Sequence, residues 1–377
     1  MRKAICWILM TLLMLPVMAQ AQEYFTLSQV REQAAAGWHE TYTDKYGRET
    51  VVDIDVEVFG EEVAPVLKVR FAGYDVDTSL LPEGTQGRND GSIVLYLNDP
   101  ARAVFGTKSG EAHLIVHRSY GEKVEMDRVY MPEYGTPLTI REMVDHHTAI
   151  LSKLDIPTDC YVFDQPFDFS VRTKIRKSSG EVVEPAIYLA HFWQQMHGLP
   201  ILNHVADAFT NAVARELWAF PQAVFGMREE DEFQITVREM EELDLLSSDV
   251  PLCSFAQVKA GIEQLIEEGH VQRVLSMKLG LVLYNGTQTF SDVNSIFEAD
   301  CYYAVPMWVV DCVYMDNGKK SYSESGPRSD ELNPDVRTGP NFETLYINTQ
   351  TGEIVDREAK GTNRSQYTGF VSWDDVR

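Results

Sequence analysis

The chain has 377 residues, of which 44% are hydrophobic, and it carries a formal net charge of −24 at pH 7. That hydrophobic content is typical of a globular protein, and the length is enough for two or three domains. So acidic a surface repels phosphate backbones, and the sequence has no basic stripe with interleaved aromatic residues, so we expect no nucleic-acid partner.

The first residues have the pattern of a secretory signal. A basic start at Arg2 and Lys3 is followed by the almost wholly apolar residues 4–18 and by an Ala-Gln-Ala cleavage pattern. We predict a signal peptide over 1–21 and a secreted or extracytoplasmic mature chain that begins near Gln22. The alternative is an uncleaved N-terminal membrane anchor, but about 15 apolar residues are short for a spanning helix, which needs roughly 20. After cleavage we expect no membrane span, because no later segment is apolar for long enough.

Residues 22–135 are predicted to form a β-rich N-terminal region. Apolar and polar residues alternate in VVDIDVEVF, PVLKVRFAGY, SIVLYLND and AHLIVHRSY, and glycines and an Asn-Asp-Gly turn separate these runs. The pattern is typical of several antiparallel strands. Residues 27–36 alone have a helical pattern here.

Residues 136–245 are predicted to form a first α+β unit. Thr139 and Glu142 make a capping box, and apolar residues at helical spacing continue until Pro157. The strand-like runs YVFDQPFDFSVRTK and AIYLAHFWQQ follow, joined by a Ser-Ser-Gly turn. The stretch VADAFTNAVARELWAF fits either a helix or a buried strand. We interpret the acidic stretch REEDEFQITVREMEELDLL as the end of this unit and the lead into the next.

Residues 246–377 are predicted to form a second α+β unit. Ser254 and Gln257 make another capping box, and a helix with one apolar face then runs to Gly269, which leaves Lys259 and Glu263 toward water. Two strand-like runs, VQRVLSMKLGLVLYNG and CYYAVPMWVVDCVYM, follow it. The polar residues 316–340 are predicted to form a loop.

The last pattern of this unit, LYINTQTGEIVDRE at 345–358, reads as a hairpin. Gly352 can take the positive φ that such a turn requires, and short alternating runs flank it. We therefore interpret Thr349, Gln350 and Thr351 as turn residues and not as a ligand site.

Residues 254–358, a capped helix followed by strands that end in LYINTQTGEIV, resemble a PepSY-like domain, whose last hairpin commonly reads aromatic, five residues, Thr-Gly-Glu-Ile. The two-unit arrangement, with FWQQ before GLPI, is similar to extracytoplasmic accessory proteins of cell-wall two-component systems (the YycH and YycI type) and to exported proteins of anaerobic bacteria. Those relatives are usually held at the membrane. The family has no established catalytic residues, so the resemblance implies binding or regulation, with an envelope or extracellular protein as the expected partner.

Together these elements predict an α+β fold of antiparallel sheets with helices packed on one face. The order helix, strand, turn, strand occurs twice, which favours two related PepSY-like units after the β-rich region. No residue-by-residue periodicity accompanies this order.

Four cysteines remain after cleavage, and an exported chain allows disulfides among them. Cys301 and Cys312 flank a run that, as one strand, holds them over 30 Å apart at about 3.3 Å per residue, beyond disulfide reach. They can pair only if the chain turns back near Pro306. We expect at least two of the four, which include Cys160 and Cys253, to be free and buried.

No residue is assigned to a catalytic, cofactor or metal site. The G-x-S-x-G, S-x-x-K, H-E-x-x-H and G-x-x-x-x-G-K signatures are absent from the sequence. The favoured function is therefore an exported, non-catalytic binding or regulatory protein of the bacterial envelope. The alternative is an envelope hydrolase with a metal site built from His191, His197 and His204, which lie around one predicted strand and its turn.

The other histidines and the aromatic residues are interpreted as packing residues. His113 and His117 would share a strand face about 13 Å apart, too far to bind one ion. If an aromatic binding surface exists, Trp193 and Tyr346 near the two turns would form it, but large aromatic side chains mostly pack inward.

Overall fold

The computed structural model describes residues 23–74, 76–89, 93–120, 123–135, 138–206, 222–284, 301–314 and 341–355. Its α-helices are α1 (Leu27–Ala34), α2 (Pro100–Phe105), α3 (Ile140–Lys153) and α4 (Phe255–Glu267), and short 3-10 helices span Thr78–Leu80 and Pro132–Tyr134. Its strands are β1 (Trp38–Thr43), β2 (Glu49–Ile54), β3 (Val56–Val58), β4 (Val66–Phe71), β5 (Gln86–Asn89), β6 (Ile93–Leu97), β7 (Glu111–Tyr120), β8 (Asp168–Arg176), β9 (Val182–Trp193), β10 (Gln195–Met196), β11 (Leu199–Ala206), β12 (Gln222–Glu229), β13 (Glu232–Arg238), β14 (Met240–Ser247), β15 (Val271–Tyr284), β16 (Tyr302–Tyr314), β17 (Asn341–Asn348) and β18 (Ile354–Val355).

Local side-chain chemistry explains where the longer helices begin. In α1, α3 and α4 the N-cap hydroxyl accepts the N–H of the third helical residue, whose side chain in turn accepts the N-cap N–H. These capping boxes confirm the two that the sequence predicts and add one at α1. The pairs are Thr26–Gln29, Thr139–Glu142 and Ser254–Gln257.

Most strands lie in two large sheets. The seven-stranded sheet has the order β5-β6-β13-β12-β9-β8-β7, and every neighbouring pair is antiparallel. The nine-stranded sheet follows the path β10-β11-β15-β16-β17-β18, and β3, β4 and β14 join it at the side. Its parallel contacts are β11 with β15 and β3 with β15. The described structure is thus sheet-rich and α+β, as predicted.

The same element order follows α3 and α4. After α3, the strands β8, β9, β12 and β13 lie side by side in chain order, and after α4 the strands β15, β16, β17 and β18 do the same. Each unit is therefore a capped helix followed by an antiparallel meander of four strands. In the first unit β10 and β11, which join the other sheet, interrupt the meander between β9 and β12.

Helices are not restricted to one face of the seven-stranded sheet, which corrects the prediction. α3 buries Met143 and Leu151 in the larger core of this sheet. α2 packs on the opposite face, because Ala101 and Val104 form a separate apolar cluster with Ile187 of β9. Both faces of the sheet are thus covered in part by a helix.

The two sheets do not follow the predicted bounds 22–135, 136–245 and 246–377. Strands β5, β6 and β7 of the N-terminal region join the seven-stranded sheet, whereas β3 and β4 join the nine-stranded sheet. The reason is that strands pair over long distances in sequence. β4 pairs with β14 and β16, and the local alternation of residues in a strand does not indicate which strand it pairs with.

One crossing of the chain between the two sheets is held by hydrogen bonds. β4 ends at Phe71 and β14 begins at Met240, and these two residues are cross-strand partners in the nine-stranded sheet. Between them the chain forms the seven-stranded sheet, and β10 and β11 return to the nine-stranded sheet for one short segment. Glu239 alone separates β13 of one sheet from β14 of the other, so the acidic stretch interpreted as a unit boundary contains this crossing. The side-chain amide of Gln194 accepts from Met240 N and donates to Met240 O, both over 2.7 Å.

Several predictions fall on residues that the structure does not describe. The proposed signal peptide, most of the ambiguous stretch VADAFTNAVARELWAF and the predicted loop at 316–340 lie outside the described residues. Among the helices that the structure describes, none combines the length and apolar character needed to cross a membrane.

The cysteine geometry agrees with the strand prediction. β16 continues through Pro306 without turning back, so Cys301 and Cys312 lie at opposite ends of one extended segment. Cys253 is a free thiol in the core, and burial raises its pKa to about 11. Cys160 is free and partly exposed.

Candidate binding groove

An open groove lies between α1 and the first turns of α4. Its volume is about 540 Å³, and it is lined by Gln33, Gly37, Ser254, Phe255, Ala256, Lys259 and Glu263. Most lining residues therefore belong to α4 and its N-cap, although α1 supplies one of the walls. Residues far apart in sequence meet here because both helices pack on the core of the nine-stranded sheet.

The backbone at the start of α4 is already satisfied at the groove. Gln33 Oε1 accepts the N–H of Phe255 over 2.9 Å, and the hydroxyl of Ser254 accepts the N–H of Gln257 over 3.2 Å. The helix N-terminus thus has capped donors here and offers no ready-made anion site. Gln33 also ties α1 to α4, which fixes the width of the groove.

A network of charged side chains forms one wall. The ammonium of Lys259 contacts Glu40 and lies 3.6 Å from Glu263 Oε1 and 5.2 Å from the centre of the Trp38 ring. Tyr42 completes the network, because its hydroxyl lies 2.5 Å from Glu40 Oε2 and 2.7 Å from Glu263 Oε1. Of these groups Lys259 and Glu263 line the groove, and Glu40 contacts Lys259 from outside the lining, so the network has two carboxylates for one ammonium.

The protonation states in this wall follow from the contacts. The hydrogen bonds from Lys259 and Tyr42 hold the pKa of Glu40 below its usual range. Burial, together with the two neighbouring carboxylates, raises the pKa of the Tyr42 hydroxyl. Glu40 is thus ionised and Tyr42 neutral near pH 7, a state that suits hydrogen bonding and charge recognition and not proton transfer by the phenol.

The hairpin turn of LYINTQTGEIVDRE contacts the segment that leads into α4, beside the groove. Gly352 has φ of 75°, which confirms the predicted turn. Thr349 is buried, its carbonyl accepts the N–H of Cys253 over 2.7 Å, and its hydroxyl donates to Pro306 O over 2.8 Å. The turn thus holds the residue that precedes Ser254, the N-cap of α4.

Sequence reasoning found only part of this site. Lys259 and Glu263 were expected to face water, yet the Lys259 side chain is 16% exposed because Glu40 and the Trp38 ring cover it. The spacing of four residues between Lys259 and Glu263 was the available signal, since such helix positions adjoin. Nothing in the sequence links them to Tyr42, which lies 221 residues from Glu263.

His191 and His197, the two members of the predicted histidine trio whose side chains the structure describes, contact different residues. His191 is buried on β9, where its Nδ1 lies 3.2 Å from Gln222 Oε1 and burial lowers its pKa. His197 lies in the turn between β10 and β11, and its Nε2 is 2.7 Å from Glu242 Oε2. The side chain of His204 is outside the described residues. Within the part of the chain that the structure describes, no three His, Cys, Asp or Glu side chains are grouped so that they could hold a metal ion.

His113 and His117 lie on opposite faces of β7, so the expectation that they share a face is wrong. A register shift between Ile115 and His117 changes the side on which the following residues point. The ring of His117 packs against Tyr130 in the core, with ring centres 4.9 Å apart. The ring of His113 instead packs against Phe105 of α2.

The aromatic residues mostly pack inward. Trp308, Phe192 and Tyr346 are buried, so the suggestion of Tyr346 as a surface aromatic is wrong, because β17 lies between β16 and β18 and faces the core. Trp193 is half-buried where the sheets meet, and its ring stacks on Phe167 with centres 4.9 Å apart.

Comparison with protein-family models, with curated proteins and with solved structures gives no match.

Proposed function

We propose that the chain is an exported, non-catalytic binding or regulatory protein of the bacterial cell envelope, and that its C-terminal part is a PepSY-like unit. The order of the elements supports the PepSY-like assignment. The helix α4 is followed by the meander β15 to β18, which is the order that the resemblance implies. The basic and then apolar start of the chain supports export.

The groove between α1 and α4 is the observation that carries the binding function. Lys259 and Glu263 line it, Glu40 adds a second carboxylate by contacting Lys259, and the whole chain has a formal net charge of −24. Electrostatic complementarity selects partners of opposite charge and speeds their encounter. The occupant is therefore a segment of an envelope or extracellular protein that presents lysine or arginine side chains.

An arginine placed in the groove is expected to abolish this binding. Ala256 is exposed and lines the groove, so Ala256→Arg fills the space and repels a basic segment. Ala260 is exposed on the same helix and is not among the lining residues, which makes Ala260→Arg the matched control. We expect wild type and Ala260→Arg to recover one specific protein from envelope extract, and Ala256→Arg to recover about tenfold less, equivalent to about 1.4 kcal/mol.

The measurement is quantitative mass spectrometry of the recovered proteins at low and high salt. A contact between exposed charges should weaken at about 1 M salt, where the screening length falls to roughly 3 Å. Equal recovery by all three proteins would contradict the groove as the binding surface. Recovery of background proteins alone would contradict the binding function.

Export predicts a defined mature N-terminus. In the native bacterium the protein is expected to lack residues 1–21 and to start near Gln22, since the Ala-Gln-Ala pattern ends at Ala21. The intact mass of the protein from culture fluid and envelope fractions tests this. A full-length protein that stays with the membrane would support the anchor alternative, and a cytoplasmic protein would contradict export altogether.

A further inference from the structure

The face of the seven-stranded sheet that carries α2 holds a guanidinium to which the described part of the chain supplies no carboxylate partner. Arg172 lies on β8 and is half-buried, and burial lowers its pKa. Its Nε donates to Ser170 Oγ over 2.8 Å, and its guanidinium lies 5.4 Å from the centre of the Phe105 ring. Among the described residues, no Asp or Glu oxygen lies within ion-pair distance of it. A cation removed from water in this way is costly unless an anion compensates it.

Asp168, the carboxylate whose charge acts on Arg172, is paired with another arginine. Asp168 lies four residues earlier on the same face of β8, and its side chain is 2% exposed. Arg118 of β7 donates to both of its oxygens, through Nε over 3.2 Å and Nη2 over 3.0 Å. This bidentate pair has the geometry in which a guanidinium and a carboxylate satisfy each other. Asp168 therefore acts on Arg172 only at a distance.

A second unpaired polar atom lies beside Arg172. His113 of β7 is the cross-strand partner of Lys174, so it is a diagonal neighbour of Arg172. Its Nε2 is buried and has no hydrogen-bond partner within the described residues. The ring packs against Phe105, with ring centres 5.2 Å apart, so Phe105 contacts both His113 and Arg172. Burial, followed by the charge of Arg172, lowers the pKa of His113.

The other charged groups on this part of the face are paired. Lys174 lies 3.8 Å from Glu111 and 3.7 Å from Glu184, and its ammonium also donates to Gly106 O over 3.2 Å. Arg176, further along β8, pairs with Glu181. Among the cations that the structure describes on β8, Arg172 is thus the one without an ion-pair partner.

We propose that Arg172, Ser170 and His113 form a binding site for an oxyanion, a carboxylate or phosphate group of a small ligand. The terminal N–H groups of Arg172 can bind two oxygens side by side. The hydroxyl of Ser170 accepts from Arg172 Nε and so has its own proton available for the ligand. The third donor is Nε2–H of His113. The site lies on the seven-stranded sheet and is independent of the groove and of its partner.

The test is an NMR titration of the full-length mature protein at constant ionic strength. Inorganic phosphate and acetate are added in separate titrations, and the Cε1–H signal of His113 is followed. We expect saturable binding of at least one anion in the wild type, and an upward shift of the His113 pKa in its presence. Arg172→Gln should weaken binding about tenfold or more. Arg176→Gln removes an arginine from the same strand and should leave binding unchanged.

The outcomes separate site binding from a general salt effect. Shifts that never saturate, or that are equal in the wild type and Arg172→Gln, would overturn the site, as would no response to either anion. If Arg172→Gln does not fold, Arg172→Lys keeps the charge but lacks the planar fork, and it should bind more weakly than wild type. Equal binding by that folded variant would also overturn the proposal. The anion that binds more tightly identifies the class of ligand.

Discussion

Replacing His147 with leucine is expected to make the folded protein less sensitive to acid. His147 lies on α3 and is fully buried, and its Nε2 is 3.2 Å from both Gly226 O and Gln234 O. Burial lowers its pKa from 6.5 to about 3. The imidazole is therefore neutral in the folded protein, with the proton on Nε2 directed at two backbone carbonyls of the seven-stranded sheet.

The sign of the pH effect follows from the lowered pKa. Below about pH 6.5 the unfolded chain binds a proton at His147 that the folded chain does not bind, so the free energy of unfolding falls as pH falls. The loss from this residue approaches about 1.4 kcal/mol per pH unit and stops only below the folded pKa. Above pH 6.5 the residue contributes no pH dependence. Leucine removes this slope, but it costs about 1–3 kcal/mol near pH 7.5, because the carbonyls lose their donor.

Urea denaturation between pH 4.5 and pH 7.5 measures both effects. The variant should be less stable than wild type at the higher pH and should lose this disadvantage as the pH falls. His39→Gln is the control, because the His39 side chain is 52% exposed on β1, where it pairs with Asp53. Parallel pH curves for wild type and His147→Leu would show that His147 is not a buried neutral residue.

Replacing a glycine with alanine is expected to change the free energy of unfolding in opposite directions in β15 and in α4. A Cβ at Gly280 would lie 2.8 Å from Pro200 O and 2.8 Å from Leu202 Cγ, so Gly280→Ala must push β11 away from β15. We expect a loss of about 1–3 kcal/mol, as for other overpacked sites. A Cβ at Gly261 would lie 3.5 Å from Gly352 O, an ordinary contact. Because alanine is the better helix former, Gly261→Ala should gain about 1 kcal/mol.

The paired design tests the parallel contact of β11 with β15. Both variants add one methyl group, so their unfolding midpoints in urea should move in opposite directions. If Gly280→Ala is as stable as wild type, the close approach of Pro200 to β15 is incorrect. If Gly261→Ala is destabilised, the packing of the hairpin turn against α4 is tighter than described.

The helices and most strands were predictable because their signals are local. A capping box occupies four consecutive residues, and Thr139 and Ser254 each mark a helix start in the structure. The hairpin at Gly352 was predictable for the same reason, since a turn is specified by its own residues. Sheet membership was not, because β4 pairs with β14 across some 170 residues, and a strand pattern does not name its partner.

Both proposed sites are formed by residues that lie far apart in sequence. In the groove, Gln33 reaches Phe255 across 222 residues, and no pattern in either segment indicates the other. The Arg172 site was partly visible, since Asp168, Ser170 and Arg172 alternate with the apolar residues Phe169 and Val171 along β8. That alternation indicates a polar sheet face, but the contribution of Phe105 from α2 becomes apparent only in the folded chain.

The crossing at Phe71 and Met240 sets an order in which the chain can fold as it emerges from a ribosome or a translocation pore. All strands of the seven-stranded sheet lie within residues 86–238, so that sheet can close once residue 238 has emerged. β3 and β4 must wait, since β14, β15 and β16 follow much later. The earliest strands of the nine-stranded sheet thus stay unpaired longest and are the segments most in need of a chaperone during synthesis.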